Sequence, residues 1–112
     1  MSTKKGQYFE EIACTYLLKK GYRLVDRNVR YPFGELDIVV MKGRKLVFVE
    51  VKGGNRSFQP RTRVDRLKLK RLELAANKFI TDRNPKFEEC QLDVIEILND
   101  GTINHLEAIG RW

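Results

Sequence analysis

Apolar residues recur at helical spacing over residues 8 to 20, where Phe9, Ile12, Ala13, Tyr16 and Leu17 make one stripe and Gly21 marks the stop. At about 100° per residue, Glu10 falls on the border of that stripe beside Leu17, whereas Glu11 points away into solvent. The period then changes to two. Tyr22 to Tyr31 reads as a strand with a charged outer face, and Pro32-Phe33-Gly34 as the turn after it. Glu35 to Met41 and Lys45 to Lys52 are runs rich in β-branched residues, joined by the short glycine-containing connection Lys42-Gly43-Arg44. From about Arg61 to Arg83 helical spacing returns, with Val64, Leu72, Ala75 and Phe79 on one arc, and Asn84-Pro85 closes it. Leu92 to Leu98 and Ile103 to Ile109 are two last strands around the turn Asn99-Asp100-Gly101. The predicted order is αβββαββ, an α/β fold with a mixed β-sheet flanked by helices, in one domain over residues 1–112.

Strand parity organises the polar residues inside these runs. Leu46, Phe48, Glu50 and Lys52 share one face of their strand and Val47, Val49 and Val51 the other, so both faces are apolar and the strand is predicted to be central. In the strand before it, parity groups Glu35, Asp37 and Val39 on one side and Leu36, Ile38 and Val40 on the other. If the two strands pair antiparallel across the Lys42 turn, the start of the first lies beside the end of the second, and Asp37 meets Glu50 at one end of the sheet.

Composition narrows the classes of function. The 112 residues are 42% hydrophobic and 33% charged, as in a folded domain, and 22 Lys plus Arg against 15 Asp plus Glu leave a net charge of +7. Such a charge favours a polyanion, with nucleic acid ahead of an anionic membrane surface. The longest apolar stretches, Ile38 to Met41 and Leu46 to Val49, are far short of the roughly 20 residues of a membrane span. The beginning Met-Ser-Thr-Lys-Lys-Gly-Gln lacks the apolar region of a signal peptide, so a cytoplasmic protein is expected. Cys14 and Cys90 have no CxxC partner or histidine cluster and read as small packing residues, and the lone His105 has no GxSxG elbow to serve.

The chemistry concentrates on Asp37, Glu50 and Lys52. Mg²⁺ or Mn²⁺ takes oxygen ligands, keeps several waters and binds substrate phosphate, so it needs only one or two carboxylates, here Asp37 and Glu50, with the Val51 carbonyl as a further donor. A bound cation would polarise a scissile phosphate and acidify a water, which Lys52 would position or deprotonate, or else Lys52 would offset charge in the transition state. The bland alternative is a same-face ion pair of Glu50 and Lys52 at a strand end, with Asp37 capping a turn.

Glu10 on the first helix, Gly34-Glu35-Leu36-Asp37, and Phe48-Val49-Glu50-Val51-Lys52 resemble the ordered motifs of the PD-(D/E)xK nuclease superfamily, and most closely its YraN-like family of small bacterial proteins. The likeness continues through Val64, Lys68, Ala75 or Ala76, Leu92-Asp93-Val94 and His105-Leu106-Glu107-Ala108. It implies a fold similar to restriction endonucleases and archaeal Holliday-junction resolvases, Asp37 and Glu50 as metal ligands, Lys52 assisting the nucleophile and Glu10 completing the acidic pocket. A homodimer follows if the likeness to resolvases extends to assembly. Leu36 replaces the motif's proline and is expected to face away from the metal; Gly53-Gly54 stand where the family more often has a polar or basic residue.

Arg61, Arg63, Arg66, Lys68, Lys70 and Arg71 crowd one segment, with Arg63, Arg66 and Lys70 opposite the apolar arc, a face that tracks a phosphate backbone or is simply solvated. Lys68 is centred on the arc itself and either snorkels or reaches toward Asp37 and Glu50 as a phosphate contact. Asn55 to Pro60, with Phe58, is a loop over the site or an ordinary connection. Asp93 and Glu96 fall on opposite strand faces, and Asp93 is expected to pair with a basic side chain. The expected function is metal-dependent phosphodiester hydrolysis, on DNA before RNA and including branched or damaged structures. The alternatives are a nucleic-acid-binding module that keeps the fold without turnover, and an assembly partner whose acids only stabilise the sheet.

Overall fold

The computed structural model describes residues 4–54 and 66–111. Their elements run α1 (Lys4–Lys19), β1 (Arg23–Tyr31), β2 (Gly34–Lys42), β3 (Lys45–Gly54), α2 (Arg66–Arg83), β4 (Glu89–Leu98) and β5 (Ile103–Arg111), the αβββαββ order that the periodicity implies. α1 starts earlier than its apolar stripe and β4 earlier than its apolar run, because neither polar leading segment has a periodic signal. Arg61, Arg63, Val64 and the Asn55 to Pro60 segment lie outside the described residues.

The strands form one five-stranded mixed sheet in the order β1-β2-β3-β4-β5, with β3 central as its two apolar faces require. β3 and β4 are parallel and every other neighbour pair is antiparallel. The parallel pair needs a crossover, and α2 lies in it.

Each face of the sheet carries one helix. Phe9, Ala13 and Leu17 of α1 pack on Ile38, Val40, Val47, Val49, Val51, Ile95 and Ile97. Leu72, Ala75, Ala76 and Phe79 of α2 pack on Val39, Met41, Leu46, Phe48 and Leu92, with the Phe48 and Phe79 rings edge to face at 5.9 Å. Cys14 and Cys90 are buried in the α1-side and α2-side clusters respectively, so the sheet separates the two thiols. α1 ends in a Schellman cap, with Tyr22 N donating to Leu17 O at 3.0 Å and Gly21 N to Leu18 O at 3.1 Å. Among the described residues no helix is long and apolar enough to cross a membrane.

One parity assignment is corrected. Leu36 packs in the α2-side cluster with Val39 and Met41, while Ile38 and Val40 pack under α1. The β2/β3 ladder runs from Lys42↔Lys45 only to Ile38↔Val49, so beyond it Leu36 is held by β1, opposite Val29, which is in the same cluster. Strict alternation fails where pairing with the central strand stops.

Candidate functional site

The end of the β2/β3 ladder makes the site. Just beyond Ile38↔Val49, the Val51 N–H donates at 2.9 Å to Oδ2 of Asp37, a side-chain oxygen. The Asp37 carboxylate is thereby fixed between the strands and is 2% exposed, with Glu50 buried nearby at 6%. These two acids line a cavity of about 210 Å³ together with Gly34, Glu35, Lys68, Arg71 and Leu72. Its far wall is α2, which comes so close at Gly34 that a β-carbon there would lie 2.8 Å from the Arg71 carbonyl oxygen.

Electrostatics tie the acids together. Burial raises the Glu50 carboxyl above its ordinary range and the Asp37 charge raises it further, while Lys68 pulls the other way. Lys68 Nζ sits 2.8 Å from Glu50 Oε2. Burial lowers the Lys68 ammonium, but hydrogen bonding and attraction to Glu50, with Asp37 and Glu35 adding, outweigh it and leave the pKa above normal. Of the two readings for Lys68, the structure takes the one in which it reaches the acids. Glu10 is fully buried rather than on a border, and its pKa is raised first by burial and next by Asp37. Asp37 therefore acts on two buried carboxylates, Glu10 of α1 and Glu50 in the cavity. Glu11 is exposed and pairs with Arg27 at 3.0 Å.

Lys52 lies half-buried two positions past Glu50 and does not line the cavity; its partner in register is Glu96 of β4. Arg66 and Lys70 are exposed on α2. Gly53 is packed so closely under the Phe9 ring that a β-carbon would overlap it, which accounts for glycine at this position. Arg71, one of the cations crowding the basic segment, also lines the cavity. It follows Lys68 by three positions, a helical neighbour, and that spacing is the signal that could have found it.

The donor set suits a hard cation better than a soft one. Burial first and the Asp37 charge second raise Glu50, and a divalent ion taken by both carboxylates would offset both effects. Among the described residues no group of three or more His, Cys, Asp or Glu side chains is placed to hold a metal. A hard ion that completes its shell with water and phosphate, as Mg²⁺ or Mn²⁺ does, would suit two carboxylates.

Asp93 belongs elsewhere. It is fully buried on the α1 side, where it accepts from Gln91 Nε2 at 2.8 Å and Ala108 N at 2.9 Å and lies 2.7 Å from His105 Nε2. His105 Nδ1 in turn meets the Tyr16 hydroxyl at 3.0 Å. The β4/β5 register shifts between Leu92 and Val94, and Ala108 has φ of 55°, so Asp93 holds the irregular part of β5. This is the structural role, with a basic partner, that its strand position predicts.

The fold and its acidic end define a small α/β protein with a candidate divalent-cation cleft. The chain belongs to the uncharacterised protein family UPF0102, the YraN-like family, which it matches over residues 9–97. It is 66% identical to a UPF0102 protein of Kosmotoga olearia over 112 residues, 100% of this chain and 97% of that one. It is 47% identical to one from Pseudothermotoga lettingae over 100 residues, covering 89% of this chain and 92% of the relative. A Thermotoga maritima relative is 41% identical over 100 residues, 89% and 91% of the two chains.

Proposed function

We propose that this protein is a metal-dependent nuclease of the PD-(D/E)xK type, with a restriction endonuclease-like fold, hydrolysing phosphodiesters in nucleic acid and DNA first. The observation that carries the reading is the pair Asp37 and Glu50, two buried carboxylates fixed at the same end of the central strands and opening on one cavity. The mixed sheet with a helix on each face is the architecture that the resemblance implies.

Asp37, Glu50 and the Val51 carbonyl would hold Mg²⁺ or Mn²⁺. When bound, the cation polarises the scissile phosphate and lowers the pKa of a water. Asp37 is kept oriented by the Val51 N–H, which holds its carboxylate at the end of the strands. Lys68 neutralises Glu50 before substrate arrives, and its flexible, half-exposed stem allows the ammonium to turn to a substrate phosphate. Arg71, exposed on the same wall, binds an adjacent phosphate. Lys52 orients the attacking water or takes its proton from the side of the strand next to Glu50. Glu10 adds negative potential near Asp37 and so favours cation over anion there.

The second reading, nucleic-acid binding without turnover, is favoured by one observation, the position of Lys52 outside the cavity lining. Branched, single-stranded and duplex DNA, and RNA, incubated with the protein in Mg²⁺ or Mn²⁺ separate the two. The nuclease cuts at least one of them, and Asp37→Ala and Lys52→Ala abolish the cutting. Cleavage of none, or cleavage undiminished in both variants, rejects the nuclease; salt-sensitive binding that persists in Glu50→Gln then supports the module.

A further inference from the structure

A larger open groove of about 770 Å³ adjoins the acidic cavity, sharing Gly34, Glu35 and Arg71 with it. Its surface combines two features. Phe33, Leu67 and Leu74 line it while remaining 38%, 61% and 45% exposed, an apolar concentration beside a charged site. Around them stand the cations Arg30, Lys70 and Arg71. Phe33 also lies parallel to Tyr31, with centroids 5.5 Å apart and planes within 6°, an offset pair of aromatic faces at the groove. Arg30 is anchored by Glu35 at 3.5 Å.

We infer that this groove seats an unpaired nucleic-acid strand next to the scissile phosphate, with one base stacked on Phe33 and the flanking phosphates on Lys70 and Arg71. The inference rests on the nuclease reading for its substrate, and on the groove alone for its specificity. A duplex offers a protein phosphates and base edges, while its base faces are buried in the stack. An exposed aromatic ring paired in parallel with a second ring, among cations, matches a strand whose base faces are free. The same feature gives a reason for a preference for branched or frayed structures over continuous duplex. A second copy of this chain would also cover Phe33, Leu67 and Leu74, but it would have to neutralise Lys70 and Arg71, which an anionic strand does directly.

Fluorescence anisotropy in EDTA, with a labelled oligothymidine and a labelled duplex of equal length as probes, tests this without cleavage. Wild-type protein binds the oligothymidine more tightly than the duplex. Phe33→Ala weakens oligothymidine binding about tenfold, Phe33→Trp restores it, and duplex binding moves less than about twofold. Lys70→Ala with Arg71→Ala weakens both probes and flattens the salt dependence. Equal affinity for the two probes, or unchanged oligothymidine binding in Phe33→Ala, overturns the inference. So does a dimer in sedimentation, without nucleic acid, that Phe33→Ala dissociates. The readings fail separately: stacking-dependent binding without cleavage removes the nuclease and keeps the groove, and cleavage indifferent to Phe33→Ala with unchanged oligothymidine binding does the reverse.

Discussion

Lys68→Met is the most informative single substitution, because it removes the ammonium and keeps most of the stem. Glu50 then remains as a buried carboxylate, its side chain 8% exposed, beside Asp37 and without its contact at 2.8 Å. A hydrogen bond to a charged group contributes about 1.5–3 kcal/mol, and the 51% exposure of the Lys68 side chain moves the value toward the ~1 kcal/mol of a surface pair. The expected loss at pH 7 is about 1–2 kcal/mol, or roughly 5–15 °C in Tm for a domain of this size. The pH dependence follows from the direction of the Glu50 shift. Its folded pKa is raised, so its proton-linked stability is complete below the unfolded pKa of about 4.3 and is lost as pH rises through the folded value. Without Lys68 the folded value climbs further and more is lost. Urea denaturation followed by far-ultraviolet circular dichroism should therefore separate wild type from Lys68→Met at pH 7 and bring them together near pH 4. In Glu50→Gln the same lysine substitution should cost less than about 0.5 kcal/mol. An equal loss at both pH values, or no coupling with Glu50→Gln at pH 7, would refute the reasoning.

Gly53→Ala should lower stability by about 1–3 kcal/mol, since the new β-carbon overlaps the Phe9 ring, and the double variant with Phe9→Leu should recover part of it; a thermal melt unchanged within about 1 °C contradicts the packing. Asp93→Ala should cost at least about 3 kcal/mol in urea denaturation, because Gln91 Nε2, His105 Nε2 and Ala108 N all lose a buried acceptor, and a loss under about 1 kcal/mol would show the network to be incidental. Burial pushes the Cys90 thiol up to about 11, so alkylation of Cys90 in the folded protein at pH 8 should be slow and should accelerate in urea; rapid native labelling would contradict its burial.

The element order was readable because each helix and strand has a face that must be buried, and periods of 3.6 and two are visible in a single sequence. Parity also located Asp37 and Glu50 at one end of the sheet, since a short hairpin fixes which ends meet. It misplaced Leu36 because alternation presumes a continuous ladder, and the ladder to β3 stops at Ile38. A helical wheel put Glu10 near the buried stripe but carries no depth, and full burial depends on how closely α1 rides on β2 and β3. The choice between snorkelling and reaching for Lys68 was open because it is decided by the docking of α2 near Gly34, a tertiary contact. The link from Asp93 through His105 to Tyr16 joins residues far apart in the chain, and no spacing announces it.

Calorimetric titration of Mn²⁺ into wild-type, Asp37→Asn and Glu50→Gln protein tests the central claim most directly. Both substitutions preserve shape, and the hydrogen bond donated by the Val51 N–H can survive Asp37→Asn because an amide oxygen accepts as a carboxylate does. The account predicts one Mn²⁺ bound per wild-type chain, binding lost or weakened at least about tenfold in each variant, and binding retained or tightened in Lys68→Met, where a competing cation is gone. No binding to the wild type, or equal binding by all three proteins, would contradict a divalent-cation site built on Asp37 and Glu50.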